Sequence, residues 1–238
     1  MFKLKKEKIY YDYCYTEYLI EKFPKNHFDF HIDIGACGVV HPWHINHMGN
    51  DNDKTTCIGF EPEENFFEKI NTECKNLPNV HLHKSFFGKD KSLKEIVDEY
   101  NITDQHKWCF SCDCEGDEKY IFNNIDEINI LKQAEHIAFE VHPSMADITY
   151  EKFIEHFKTH FGNTHKIIRT FHGGSIDTKT VSDNSSFILT KLDTFEKIIK
   201  PAINNFRFNW SPENQCLLEI RNNGQTRLNP MHSIVYIN

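Results

Sequence analysis

The sequence has no apolar run near the roughly twenty residues a helix needs to cross a bilayer, and its start lacks the unbroken apolar core of a signal peptide. Both absences lead to the expectation of a cytoplasmic protein with no membrane partner. It also has no long stripe of lysine or arginine. The net charge is −8, and the short run Lys3-Leu4-Lys5-Lys6 reads as a solvated terminus, so no nucleic-acid partner is expected. A zinc or disulfide framework is missing too. The eight cysteines are scattered, and only Cys109-x-x-Cys112-x-Cys114 clusters, with no second C-x-x-C to complete four ligands. On an extended strand Cys112 and Cys114 share one face and Cys109 points to the other, so these thiols read as small buried hydrophobes. Finally, no G-K-[ST] occurs to cradle a triphosphate, and no complete G-x-G-x-x-G to cradle a dinucleotide.

What is present is an alternation of strand and helix patterns. "FHIDI" (Phe30 to Ile34), Thr55 to Phe60, "NVHLHKSFF", "WCFSC", "HIAFEVH" and "HKIIRTF" read as strands. Helical spacing separates them: Phe66, Phe67, Ile70 and Cys74; then Leu93, Ile96, Val97 and Tyr100; then one helix through Ile121, Ile125 and Ile128 to Leu131; then Tyr150 to Phe161. This order predicts an α/β fold with a doubly wound, mostly parallel sheet and helices on both faces. Past Phe171 a loop-like stretch is followed by "FILTKL", a helix around Thr194 to Ile203, and two late strands, "CLLEIRN" and "HSIVYIN". Residues 1–27, with Tyr11, Cys14, Tyr15, Tyr18, Leu19 and Lys22 at helical spacing, form a helical segment that packs on or caps a single domain of residues 28–238.

The first strand runs into Gly35-Ala36-Cys37-Gly38, and Pro42 then suits the first turn of a short helix. Glycines three apart let the main chain come close to a ligand, at the sheet edge where nucleotide-like molecules bind. Glu61 ends the second strand beside that turn, where a carboxylate can accept both hydroxyls of a ribose. A ribose site without a pyrophosphate cradle suits a nucleoside lacking phosphates, of which S-adenosylmethionine is the common one. His41, His44 and His47 drift around a helix by about 60° per step, so they read as surface or pocket-lining groups. Trp43 reads as core packing.

The succession "HIDIGACG", "CIGFEPEENFFEKI", "SLKEIVDEY", "CFSCDCEGDEKYI" and "HIAFEVH" resembles the FkbM family of S-adenosylmethionine-dependent methyltransferases, over roughly Phe28 to His142. The resemblance implies a seven-stranded Rossmann-like sheet of the class I methyltransferase type, S-adenosyl-L-methionine as cofactor, and methylation of a hydroxyl oxygen on a sugar or small molecule. It places the cofactor on Asp33, Gly35, Ala36, Cys37 and Gly38, and on Glu61 and Pro62. Two positions depart from the family pattern: Cys37 stands where Asn is usual, and Ser111 where Lys is usual.

Asp113 and Glu115 follow the fourth strand, and Glu140 and His142 end the fifth, so neighbouring strands would gather all four at one rim of the crevice. Asp113 or His142 is the expected base for the acceptor hydroxyl, and Glu115 the third catalytic candidate. An alternative has Asp113, Glu115 and His142 hold a divalent cation, although no metal is expected. Two other classes stay open: a catalytically inactive binding protein on the same fold, and a nicotinamide oxidoreductase, which the missing third glycine disfavours. The expected partner is a small-molecule or glycan hydroxyl acceptor. Its loops, with His172 to Ser186 among them, carry no readable code, and neither does the oligomeric state.

Overall fold

The computed structural model describes residues 22–36, 54–171, 185–206 and 235–238. Cys37 and Gly38, the helix expected after Pro42 with His41, Trp43, His44 and His47, the tyrosine-rich helical segment before Lys22, the loop from His172 and the "CLLEIRN" strand lie outside the described residues.

Among the described residues eight strands form one sheet: β1 (Phe30–Ile34), β2 (Thr56–Phe60), β3 (Val80–His83), β4 (Trp108–Cys112), β5 (His136–Val141), β6 (His165–Phe171), β7 (Ser185–Lys191) and β8 (Val235–Tyr236), in the order β3-β2-β1-β4-β5-β7-β6-β8. Strands β3 through β5 run parallel, and β7 is antiparallel to both β5 and β6. Strands β1 to β7 make the seven-stranded sheet that the resemblance implies, and β8, which pairs Tyr236 with Ile168, is the described part of the late strand read in "HSIVYIN". The chain leaves β1 for β2 on one side and reaches β4 on the other. The carboxyl end of β1 is therefore the switch point, where an open α/β sheet leaves a crevice.

The helices are α1 (Glu64–Cys74), α2 (Leu93–Glu99), α3 (Lys119–Phe122), α4 (Ile125–Leu131), α5 (Pro143–Ala146), α6 (Tyr150–Phe161), α7 (Leu192–Thr194) and α8 (Lys200–Phe206), with a π-helical turn at Phe195–Ile199 between the last two. The single helix expected from Ile121 to Leu131 is two, α3 and α4. Asn124 caps the second, its side chain accepting from the Asp126 amide at 3.0 Å, and this local bond breaks the run. The π turn precedes Pro201, whose ring leaves no N–H for an ordinary helical bond and crowds the preceding turn.

Both faces of the sheet are covered. One carries an aromatic core in which Phe122 meets Phe153 and Phe157 edge-on at 4.8 and 5.2 Å, and Phe157 packs on Phe187 at 4.7 Å. The other holds Phe23, Phe28, Cys57, Cys109, Ile168, Ile188, Phe195 and Ile199. Cys109 and Cys112 thus bury in opposite layers, as their spacing predicts, and all five described cysteines are free. Among the described residues no helix is long and apolar enough to cross a membrane.

Candidate active site

The parallel register sets Ile34 level with Phe60 on one side and Cys112 on the other, so three strands end together. Just beyond, the amides of Gly35 and Ala36 both donate to the Phe60 carbonyl, at 3.0 and 3.1 Å, and the Asp113 amide donates to the Ile34 carbonyl at 2.9 Å. Gly35 has φ +80°, and a Cβ there would sit 1.7 Å from the Asp113 carbonyl oxygen. Glycine is demanded here by a crossing of two backbones as well as by the left-handed turn. The same crossing ties the position of Asp113 to that of the glycine turn.

Glu61 follows Phe60 directly and is buried. Its Oε1 accepts the Glu63 amide at 2.8 Å, and its own amide donates to the His83 carbonyl at 3.0 Å. Both bonds fix the carboxylate at the end of β2, beside the turn. Pro62 next to it is half-buried. On β1, Asp33 is buried and accepts a hydrogen bond from the Ser111 hydroxyl, which also lies 2.9 Å from His31 Nε2. Ser111, one of the two departures, is therefore the bridge between two buried polar groups of β1.

The acidic rim forms as the spacing predicts, because β4 and β5 are neighbours in register, with Cys112 opposite Phe139. His142 caps the start of α5 before Pro143 and is buried, 3 % exposed. Its Nε2 faces Asp113 Oδ1 and Glu115 Oε2 at 3.6 Å each, and Glu140 Oε1 at 3.9 Å. Its Nδ1 lies 2.6 Å from Glu118 Oε1. Glu118 has no solvent exposure, and among the described residues its second oxygen has no hydrogen bond. The chain reaches this arrangement through a tight turn, in which Glu115 has φ +50° and Gly116 φ +105°, and a Cβ on Gly116 would meet Met145 at 2.8 Å.

Charge shapes the titration of these groups. Burial, then the charge of Glu140, pushes Asp113 up to about 6. Burial disfavours the imidazolium of His142, yet the hydrogen bond and charge of Glu118, with Asp113 and Glu115, raise it to about 9. With only its acidic neighbours around it the ring thus favours the imidazolium, and a cation at Nε2 would have to displace that proton. Glu118 was not among the residues singled out from the sequence. Its signal is the last glutamate of "DCEGDE", three residues past Glu115.

No family model and no curated protein matches this chain, so the FkbM resemblance rests on its motifs alone. Among solved structures it is similar to an rRNA methylase from Streptococcus thermophilus, at 12% identity over 81% of this chain and 99% of that one, with a TM-score of 0.47. It is also similar to Aeropyrum pernix fibrillarin with natively bound S-adenosyl-L-methionine, at 11% identity over 73% of each chain and a TM-score of 0.44. A third is the METTL16 methyltransferase domain, at 15% identity over 74% of this chain and 65% of that one, with a TM-score of 0.47. The fold, with β7 inserted antiparallel between β5 and β6, is that of a class I, Rossmann-like methyltransferase.

Proposed function

We propose that this chain is an S-adenosylmethionine-dependent methyltransferase that methylates a hydroxyl oxygen of a sugar or small molecule. One observation carries the reading. A glycine turn, a buried carboxylate on the next strand and a histidine ringed by acids all meet at the switch point of the sheet. Glu61 would take the ribose hydroxyls, with Pro62 beside the adenosine. The turn at Gly35 and Ala36, with Cys37 and Gly38 next in the sequence, would hold the amino-acid end of the cofactor next to Asp33.

S-adenosylmethionine held there would supply an activated methyl group to an acceptor oxygen on the Asp113 side of the crevice, the C–S bond giving its electron pair to sulfur as the C–O bond formed. The acceptor proton would pass to a carboxylate around His142, Asp113 in this reading, while Glu115 and His142 would orient the hydroxyl. A positioned base of this kind contributes about 10²–10⁴ in rate.

The test has two stages. Calorimetry with S-adenosylmethionine, S-adenosylhomocysteine and NAD separates the methyltransferase class from the oxidoreductase. A methyl-release assay over sugars, small-molecule alcohols and RNA then separates an enzyme from an inactive binder. Binding of NAD in place of S-adenosylhomocysteine would end this proposal. Methylation of RNA alone would keep the class and overturn the acceptor.

A further inference from the structure

The histidine at the centre of the acidic rim is held as a metal ligand is held. Glu118, buried with no solvent exposure, engages Nδ1 at 2.6 Å, and this leaves Nε2 as the atom presented to the crevice. Carboxylate-to-histidine contacts of this type fix the ring and raise its basicity in metal sites. Nε2 makes no hydrogen bond among the described residues, although the side chain is 4 % exposed; its nearest oxygens stand at 3.6 Å, beyond hydrogen-bond reach. Asp113 Oδ1 is likewise a buried oxygen without a hydrogen bond. One donor atom each from Asp113, Glu115 and His142 lies within 4.8 Å of the other two. No lysine or arginine ion pair reaches Asp113, Glu115 or Glu118 among the described residues.

We infer that Asp113, Glu115 and His142 bind a divalent cation of the manganese or magnesium type, with Glu118 as the positioning residue that fixes His142. Two carboxylates and one imidazole are a hard, oxygen-rich donor set of the kind that suits manganese or magnesium. Three protein ligands leave positions for the acceptor oxygen. This refines the proposed function, on which it rests for the identity of that oxygen. An acceptor hydroxyl bound to the cation becomes more acidic, and a carboxylate of the same rim receives its proton as the C–O bond forms. Glu115 is the exposed member, with room to move in, whereas His142 is already fixed. The competing account is an imidazolium shared among the carboxylates, with no role for a metal.

Manganese separates these accounts, because free Mn²⁺ has an EPR signal that disappears on binding. The full chain, stripped with EDTA and titrated with MnCl₂, should bind one ion per chain. Asp113→Asn and His142→Ala should abolish that binding, and Glu118→Gln should weaken it about 10–100-fold, the range for loss of an outer-shell partner. Circular dichroism checks that each variant is folded. Glu61→Ala, which leaves the rim intact, should bind the ion like the wild type. Absence of binding to the wild-type chain at millimolar MnCl₂ overturns the inference, and this arm needs no variant. Binding that is equal in wild type, Asp113→Asn and His142→Ala also overturns it. Calorimetry with S-adenosylhomocysteine in EDTA reads the cofactor proposal separately. Ion binding without it would leave the metal site standing and remove the methyltransferase; the reverse result would do the opposite.

Discussion

Removing the Glu61 carboxylate tests the proposed cofactor site most directly. The residue is 5 % exposed, so water cannot replace the contacts it makes. One oxygen is occupied by the Glu63 amide at 2.8 Å, which locks the side chain and leaves the carboxylate able to take a diol. A hydrogen bond to a charged group contributes about 1.5–3 kcal/mol, and two hydroxyls on one carboxylate share that carboxylate's charge. A total of about 3 kcal/mol corresponds to roughly 100-fold in affinity. Glu61→Ala should therefore weaken S-adenosylhomocysteine by about 100-fold. Glu61→Gln keeps one acceptor and should lose about tenfold. Freeing the Glu63 amide costs stability by about 1 kcal/mol, which a urea midpoint reads independently. Calorimetry should also show adenosine weakened by the same factor as S-adenosylhomocysteine, because the contact is to the ribose. An unchanged Kd in Glu61→Ala would refute the assignment, and so would a loss that spares adenosine.

Three further outcomes follow from the geometry. Gly35→Ala forces a Cβ to 1.7 Å from the Asp113 carbonyl at φ +80°, so the urea midpoint should fall by the equivalent of about 3 kcal/mol or more, with cofactor affinity falling alongside; a variant of native stability would refute the crossing. Glu127 on α4 accepts from the amides of Leu93 and Lys94 at 2.7 and 3.4 Å, so Glu127→Ala strands a buried donor at the start of α2 and should cost about 1–3 kcal/mol in a denaturant titration. His165 is held neutral, its pKa pushed down to about 4 by burial, with Lys191 and Lys132 adding to the shift and the Ala134 carbonyl, 3.0 Å from Nε2, opposing it. The unfolded chain takes up this proton below about 6.5 and the folded chain does not, so stability is lost as pH falls: about 2 kcal/mol between pH 7 and 5 from this group. His165→Gln should remove that slope, and parallel pH curves for the two proteins would refute it.

Much of the fold was legible because its layers impose clear periods. α6 has the expected bounds because Phe153, Phe157 and Phe161 recur every four residues and all three are buried. β6 likewise begins at His165 and ends at Phe171, as its pattern reads. The break at Asn124 was missed because apolar spacing continues through it from Ile121 to Ile128, and only a capping side chain distinguishes two helices from one. The placing of β7 between β5 and β6 carries no local signal: seven register pairs with β6 and six with β5 set it, and all are long-range. The site divided the same way. Strand ends placed Gly35, Glu61, Asp113 and His142 together, since a parallel register aligns carboxyl ends. Glu118 lies in a turn, where period says nothing, and its role depends on burial that only the folded chain creates.

That buried glutamate changes what the rim can do for methyl transfer. Carboxylates near a sulfonium attract it, but the positive charge on sulfur disappears as the methyl leaves. Attraction of that kind holds the reactants more tightly than the transition state and would raise the barrier. In the proposed reaction Asp113, Glu115 and Glu140 would speed methyl transfer only where their charge is engaged by something that gains positive character, or releases a proton, as the acceptor attacks. Glu118 holds His142 at Nδ1 and turns Nε2 toward those same oxygens. The acids are thereby centred on one point of the rim. In the proposed reaction a proton or a divalent cation at that point would convert a cluster that binds the sulfonium unproductively into one that acts on the attacking oxygen.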